Sequence, residues 1–94
     1  MQPVKSTYTA RQSIEADLIQ QVANEIEDTL ILHAPDHWPD ETCDEIERQV
    51  LDQTRTNMTA QTTSELQLPG TLRQHISTAV ETTKRLCYLD RERS

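Results

Sequence analysis

One apolar stripe constrains this chain more than any other feature of its sequence. Between residues 14 and 30 a large aliphatic side chain returns every four residues, and polar side chains fill most of the positions in between. At about 100° per residue, this spacing places the apolar side chains on one half of an α-helix. The stripe predicts an amphipathic helix over about 10–33, which ends before Pro35 because a residue preceding proline is driven out of helical backbone angles. Its repeating positions are Ile14, Leu18, Val22, Ile26 and Leu30.

Two further helices are predicted from the punctuation of the chain. Pro39 and the acids that follow it are typical of a helix N-terminus, because proline fits the first turn and carboxylates favour its positive end. They indicate a helix over about 39–56. A Leu-Pro-Gly sequence at 68–70 marks a break, and the apolar periodicity after it predicts a helix over about 71–89. The stretch over 54–63, rich in Thr, Gln and Asn, fits either a frayed helix end or a loop.

The composition makes the predicted core thin. Only 34% of the 94 residues are hydrophobic, with one Trp, two Tyr and no Phe. Because aromatic side chains supply much of the buried area of most cores, this core has to be aliphatic, and thin cores commonly rely on a partner. We expect one all-α domain of three amphipathic helices with antiparallel neighbours, completed by dimerisation, with a frayed arm over 1–8 and a polar tail over 90–94. The side chains expected in the core or dimer interface are Leu18, Val22, Ile26, Ile46, Val50, Ile76 and Val80.

Charge is sorted along the chain. Residues 14–53 contain twelve acids and one fixed base, whereas residues 54–94 contain six bases and four acids, within a formal net charge of −7. The acidic part repels nucleic acid and anionic membranes and attracts basic surfaces. We therefore expect a protein partner with a basic surface, and neither direct nucleic-acid binding nor membrane binding.

These features favour a non-catalytic interaction module, acting as an adaptor, regulator or inhibitor through its acidic first two helices. The chain has one glycine, which excludes the glycine-rich phosphate loops, and no constellation that indicates catalysis. It also lacks an apolar leader at its start, which favours the cytoplasm. The candidate partner-binding residues are Glu27, Asp28, Trp38, Asp40, Glu41, Asp44, Glu45 and Glu47.

Two alternative functions remain open. An inhibitor that mimics nucleic acid would use spaced carboxylates in place of phosphates, and it requires two regular rows of acids on one open face. A small ribbon-helix-helix repressor or antitoxin is less favoured, because the net charge of this chain has the wrong sign for such a protein. It would need residues 4–8 as its strand.

Metal-ligand residue types cluster around the first predicted turn. Pro35 separates the two histidines, so they do not share one helix face, and no Cys-x-x-Cys pair accompanies them. We interpret the cluster as a helix end, a turn and a carboxylate-rich helix start, and we expect no metal and no other cofactor. Its members are His33, Asp36, His37, Asp40 and Cys43.

Cys43 and Cys87 are predicted to lie at the same end of the bundle. If the second and third helices form an antiparallel hairpin, Val50 faces Val80 and Cys43 faces Cys87, with Cα atoms within about 10 Å. The favoured interpretation is two small buried side chains, and a redox disulfide is the alternative.

Three further side chains have two interpretations each. Glu15 and Glu47 project into apolar helix faces, where an unpaired carboxylate is costly to bury. Either the helix ends lie open to water, or a base such as Lys84 or a partner's Arg answers these acids. Trp38 either closes one end of the bundle or stands exposed as an anchor for a partner, since Trp is enriched among binding hot spots.

Overall fold

The computed structural model describes the backbone of residues 3–93 and the side chains of residues 11–89. Over that backbone the chain forms α-helices and no strand, so the all-α prediction is confirmed. The helices pack against one another and are joined by short connections. They are α1 (Pro3–His33), α2 (Asp40–Thr59), α3 (Thr63–Leu66) and α4 (Pro69–Arg93).

α1 extends well beyond its apolar stripe. It begins at Pro3, a residue that suits the first turn because it has no N–H to leave unsatisfied. The backbone over 4–8 is helical, in place of the strand considered there. Residues 1 and 2 of the arm predicted over 1–8 lie outside the described residues. The ribbon-helix-helix alternative thereby loses the strand that it requires. Neither α1 nor any other helix, over the residues described, has an apolar stretch long enough to cross a membrane.

The polar stretch after residue 53 continues α2 as far as Thr59. The hydroxyls of Thr54, Thr56 and Thr59 each donate to the backbone carbonyl four residues earlier, at 2.9, 3.0 and 2.9 Å. These hydroxyls are therefore satisfied within the helix, where each shares a carbonyl acceptor with a backbone N–H. The second helix is longer than the 39–56 that was predicted.

A single helical turn, α3, lies between α2 and α4 and was not predicted. A reciprocal capping box closes its N-terminus: the Thr62 hydroxyl accepts from the Glu65 N–H at 3.3 Å, and the Glu65 carboxylate accepts from the Thr62 N–H at 3.1 Å. α4 then begins at Pro69 and runs to Arg93, through the polar tail predicted over 90–94. The break between α3 and α4 falls at 67–68, earlier than the 68–70 that was predicted. The reason is that Pro69 begins α4, since proline suits the first turn of a helix.

α2 runs antiparallel to α1 and α4, which run in the same direction. At one end of the bundle the His33 ring of α1 meets the Tyr88 ring of α4 edge to face, with centroids 6.0 Å apart. At the other end Arg11 of α1 donates to the backbone carbonyls of Met58 and Gln61, where α2 finishes. We call these the turn end, which contains the α1–α2 connection, and the linker end, which contains α3.

The core consists of two apolar clusters, one toward each end. Removing such side chains from water contributes about 25 cal/mol per Å² of apolar area. The linker-end cluster contains Leu18, Met58 and Leu66, with Ile14, Ile19 and Leu72 packed against it. The turn-end cluster contains Val22, Ile26, Leu30, Val50, Ala79 and Cys87, with Ala34, Trp38, Cys43, Ile46, Leu51, Ile76 and Leu86 packed against it.

The α1 stripe is covered within one chain. α2 and α4 both pack on α1, and α4 does so over the larger area of contact. Val22 and Ile26 have no exposed surface. Packing within one chain therefore buries most of the repeating positions of the stripe, and dimerisation stays a prediction. Of the predicted core residues, Leu18, Val22, Ile26 and Val50 are buried, whereas Ile46, Ile76 and Val80 are half-buried.

Threonine compensates for the scarcity of apolar residues. Thr83 is fully buried, and Thr29 and Thr54 are 6% and 5% exposed. Each hydroxyl donates to the carbonyl four residues earlier, at 2.8 Å for Thr83, 2.7 Å for Thr29 and 2.9 Å for Thr54. The polar atom is satisfied locally, so the methyl group is left for packing. A chain with few hydrophobic residues builds a core of its own in this way.

Both cysteines belong to the turn-end cluster. Cys87 is fully buried within it, and Cys43 is half-buried and packs against it. The antiparallel hairpin requires this placement at one end. Both residues stand as thiols in the structure, and the formation of a disulfide between them stays a prediction.

Candidate functional site

A shallow groove of about 350 Å³ runs between α1 and α2 at the turn end. Four carboxylates line it together with an apolar lining formed by Leu30, Ile31 and Cys43. We call this surface the acidic groove. Its residues are Glu27, Leu30 and Ile31 from α1, and Asp40, Cys43, Asp44 and Glu47 from α2.

Helix spacing places the acids of α2 on one face. Asp40, Asp44 and Glu47 stand four and three residues apart, a spacing that stacks side chains along a helix. Asp40 and Glu41 lie in the first turn of α2, whose N-cap residue Pro39 makes no side-chain hydrogen bond to it. Carboxylates in that turn instead stabilise the positive end of the helix dipole. Asp40 therefore has both roles, since it favours the start of α2 and lines the groove.

The negative charges of the groove act on one another. Burial raises the pKa of Glu47, and the carboxylates of Glu27 and Asp44 raise it further. Burial likewise raises the pKa of the Cys43 thiol, with added contributions from Asp40 and Asp44. No base lines the groove itself, but two arginines of α2 line an adjoining pocket together with Asp44 and Glu47.

Glu15 and Glu47, the two acids on apolar helix faces, lie in different surroundings. Glu15 pairs with Arg11 of α1 at 2.7 Å. Glu47 is half-buried and lines the open groove, so solvent reaches it. Lys84, the base proposed to answer such acids, lines a different surface on α4. For Glu47, the open arrangement is the one that the structure supports.

Large apolar side chains are exposed at the same end of the bundle. Ile31 and Leu32 of α1 are each 75% exposed, and Tyr88 and Leu89 of α4 are 46% and 52% exposed. Trp38 is half-buried and packs against the turn-end cluster, as expected of a residue that closes this end, and its part in partner binding stays a prediction. The largely exposed apolar side chains of this end are aliphatic ones and Tyr88.

The structure gathers half of the predicted partner-binding residues. Glu27, Asp40, Asp44 and Glu47 meet in the acidic groove. The other acids are exposed but do not line it, and one of them, Glu45, lies 3.7 Å from Arg48 in an ion pair. The residues outside the groove are Asp28, Trp38, Glu41 and Glu45.

The apolar lining of the groove was not predicted, although the sequence contains a signal for it. Residues 30–32 form the run Leu-Ile-Leu. Consecutive residues on a helix point about 100° apart, so three in a row cannot all face one core. Leu30 is buried, whereas Ile31 turns into the groove and remains exposed.

A second surface, on α4, was also missed. It consists of side chains at the spacing i, i+3, i+4, i+7 and i+8, with two bases, one acid and two exposed apolar groups. The sequence analysis did not group these residues as a surface. We call it the α4 outer face, and its residues are Glu81, Lys84, Arg85, Tyr88 and Leu89.

The residue types considered for a metal do not form a site. Among the described side chains, no group of three or more His, Cys, Asp or Glu residues is placed to hold an ion. Pro35 and the turn that follows it separate His33 from His37.

Comparison of the chain with protein-family models, with curated proteins and with solved structures gives no match. A functional proposal for this chain therefore rests on the geometry of the acidic groove.

Proposed function

We propose that this protein is a non-catalytic interaction module that binds a basic helix of a partner protein in the acidic groove. The observation that most supports this proposal is the combination of four carboxylates with an apolar lining between two helices. An amphipathic helix that lays one face into such a groove is a common recognition mode. Its apolar side chains would cover Ile31, and its Lys or Arg side chains would meet the four carboxylates.

The two kinds of contact contribute differently. Covering Ile31, which is 75% exposed, stabilises the complex by about 1.5–3 kcal/mol at most. Exposed ion pairs contribute only about 0–1 kcal/mol each. Charge complementarity acts mainly by steering the encounter and by excluding acidic partners. We therefore expect moderate affinity, fast association and a strong dependence on salt.

The pattern of acids supports helix docking over mimicry of nucleic acid. Mimicry requires two regular rows of carboxylates on one open face. α2 contributes Asp40, Asp44 and Glu47 to the groove, but α1 contributes only Glu27, next to Leu30 and Ile31. The apolar lining of the groove suits the apolar side chains of a docking helix. A partner whose basic groove is shaped for phosphates would have no such side chains to place there.

A designed peptide tests this proposal directly. The probe is a short synthetic amphipathic helix with Arg on its flanks and Leu along one face, titrated by isothermal calorimetry. We expect binding that weakens as salt rises and that is lost in the double variant Asp44→Lys with Glu47→Lys. The matched control, Asp17→Lys with Glu25→Lys, makes the same change in net charge on exposed positions outside the groove. Equal loss in both variants would reduce the interaction to non-specific attraction and refute the groove.

A further inference from the structure

We infer that a second copy of this chain can occupy the acidic groove, and that it enters with its α4 outer face. The inference rests on the proposed function, because it uses the same groove and names the helix that fills it. The two surfaces then form one contact between copies.

The α4 outer face has the pattern of a helix that docks in a groove. Such helices present anchors at i, i+3, i+4 and i+7 along one face. Glu81, Lys84, Arg85 and Tyr88 have this spacing, and Leu89 extends it by one position. Tyr88 and Leu89 stay about half exposed although they are large, at 46% and 52%.

The chemistry of the two surfaces is complementary. The groove has four carboxylates and no base among its lining residues, whereas the α4 outer face has two bases and one carboxylate. Lys84 and Arg85 supply cations, and no base lines the groove itself. Tyr88 and Leu89 supply apolar surface for Ile31.

A symmetric contact of groove with groove is disfavoured by the same charges. It would bring two sets of four carboxylates together with no base among them. Burial already raises the pKa of Glu47, so further loss of solvent there would cost more. The contact of unlike surfaces avoids this repulsion.

The contact joins unlike surfaces of the two copies. The groove lies between α1 and α2, whereas the outer face belongs to α4. One such contact leaves one groove and one α4 outer face unused in a pair of copies. A heterologous contact of this kind forms a ring where the rotation closes and an open row of copies where it does not.

Sedimentation velocity on two matched variants tests this inference. The groove variant is Asp44→Lys with Glu47→Lys, and the face variant is Lys84→Glu with Arg85→Glu. We expect the wild-type chain to form species larger than a monomer as concentration rises at low salt, and each variant alone to sediment as a monomer. Mixing the two variants should restore species larger than a monomer, because one intact groove and one intact face remain in the pair.

Two controls separate a lost contact from a lost fold. Asp17→Lys and Arg73→Glu change exposed charges outside both surfaces and should leave the self-association intact. Circular dichroism of the groove and face variants should show wild-type helix content. Where a reversal disturbs the fold, the neutral pair Asp44→Asn with Glu47→Gln replaces it, and weaker self-association is expected.

Several outcomes would overturn the inference. A wild-type chain that stays monomeric at all concentrations refutes it, as do a mixture of variants that stays monomeric and self-association that persists in both variants. If the monomeric chain still binds the synthetic basic helix through the groove, the proposed function stands and only the choice of occupant falls. If neither binds, both fall together.

Discussion

The linker end of the bundle is held by directed polar contacts, whereas the turn end leaves charge and apolar surface open. At the linker end Arg11 pairs with Glu15 at 2.7 Å and donates to the carbonyls of Met58 and Gln61 at 3.2 and 3.0 Å. His75, only 6% exposed, is hydrogen-bonded to the Gln61 side chain at 3.1 Å. These contacts tie α1 and α4 to the end of α2.

The turn end uses the same residue types for a different result. Burial and, to a lesser extent, neighbouring acids raise the pKa of Glu47 and of Cys43, and Ile31 and Leu32 remain largely exposed. Polar groups stabilise the fold at one end and form a surface at the other. We therefore expect stability and the proposed binding to respond to different substitutions.

The largest effect is expected from the linker-end cluster. Leu66 is 2% exposed, whereas Leu68, two positions further along, is 57% exposed. Leu66→Ala should lower the free energy of unfolding by about 2–5 kcal/mol, because it removes buried apolar surface and leaves a cavity. Leu68→Ala is the control and should stay within about 0.5 kcal/mol of wild type. Urea denaturation measures both, and similar losses would contradict the packing of α3.

The polar contacts of the linker end come next. Arg11→Met keeps much of the side-chain length but removes the ion pair with Glu15 and two hydrogen bonds to carbonyls. Hydrogen bonds from charged groups contribute about 1.5–3 kcal/mol each, less for exposed partners, so we expect a loss of about 1–3 kcal/mol. Arg48→Met, which breaks an exposed pair with Glu45 at 3.7 Å, should change the free energy of unfolding by less than about 1 kcal/mol. Thermal unfolding that ranks the two variants in the reverse order would contradict this account.

Acid should act in opposite directions at the two ends. Burial lowers the pKa of His75 from 6.5, so the unfolded chain takes up that proton first, and this stability is lost as pH falls below about 6.5. The pKa of Glu47 is raised from 4.5, so the folded chain takes up that proton first, and stability is gained as pH falls through the raised value toward 4.5. Urea denaturation between pH 7 and pH 4 checks both slopes. His75→Gln should reduce the change in stability below about pH 6.5, and Glu47→Gln should reduce the change toward pH 4.5. Unchanged curves would refute the assignment of these changes to His75 and Glu47.

The smallest effect on stability is expected from the exposed apolar residues of the turn end. Ile31→Ser and Leu32→Ser alter side chains that are each 75% exposed. The free energy of unfolding should change by about 0.5 kcal/mol or less. Ile31→Ser should nevertheless weaken binding of the synthetic basic helix, because Ile31 lines the groove. A marked loss of stability in Ile31→Ser would mean that this side chain belongs to the core.

The sequence predicted the helices where apolar periodicity is strong, and failed where other forces decide. The stripe from Ile14 to Leu30 predicted the centre of α1, but its first turns have no such stripe and begin at Pro3. α3 is too short for any period, and the capping pair Thr62 and Glu65 was its one readable signal.

The candidate site was predictable in its charge and not in its shape. The excess of acids identified the surface of α1 and α2, but the positions that meet in a groove depend on how the two helices are rotated against each other. Glu41 and Glu45 satisfy the same charge pattern as Asp40 and Asp44, yet they do not line the groove. The α4 outer face has helical spacing that can be read from the sequence, but its exposure depends on which side α1 and α2 cover.

Backbone amide NMR during a titration with the synthetic basic helix tests the central claim most directly, because it reports on both ends at once. The account predicts chemical-shift changes at Glu27, Ile31, Asp44 and Glu47, with the linker-end residues Arg11 and His75 unmoved. Changes centred on the linker end, or changes spread evenly over every acidic residue, would contradict the claim that the turn end is the binding end of this molecule.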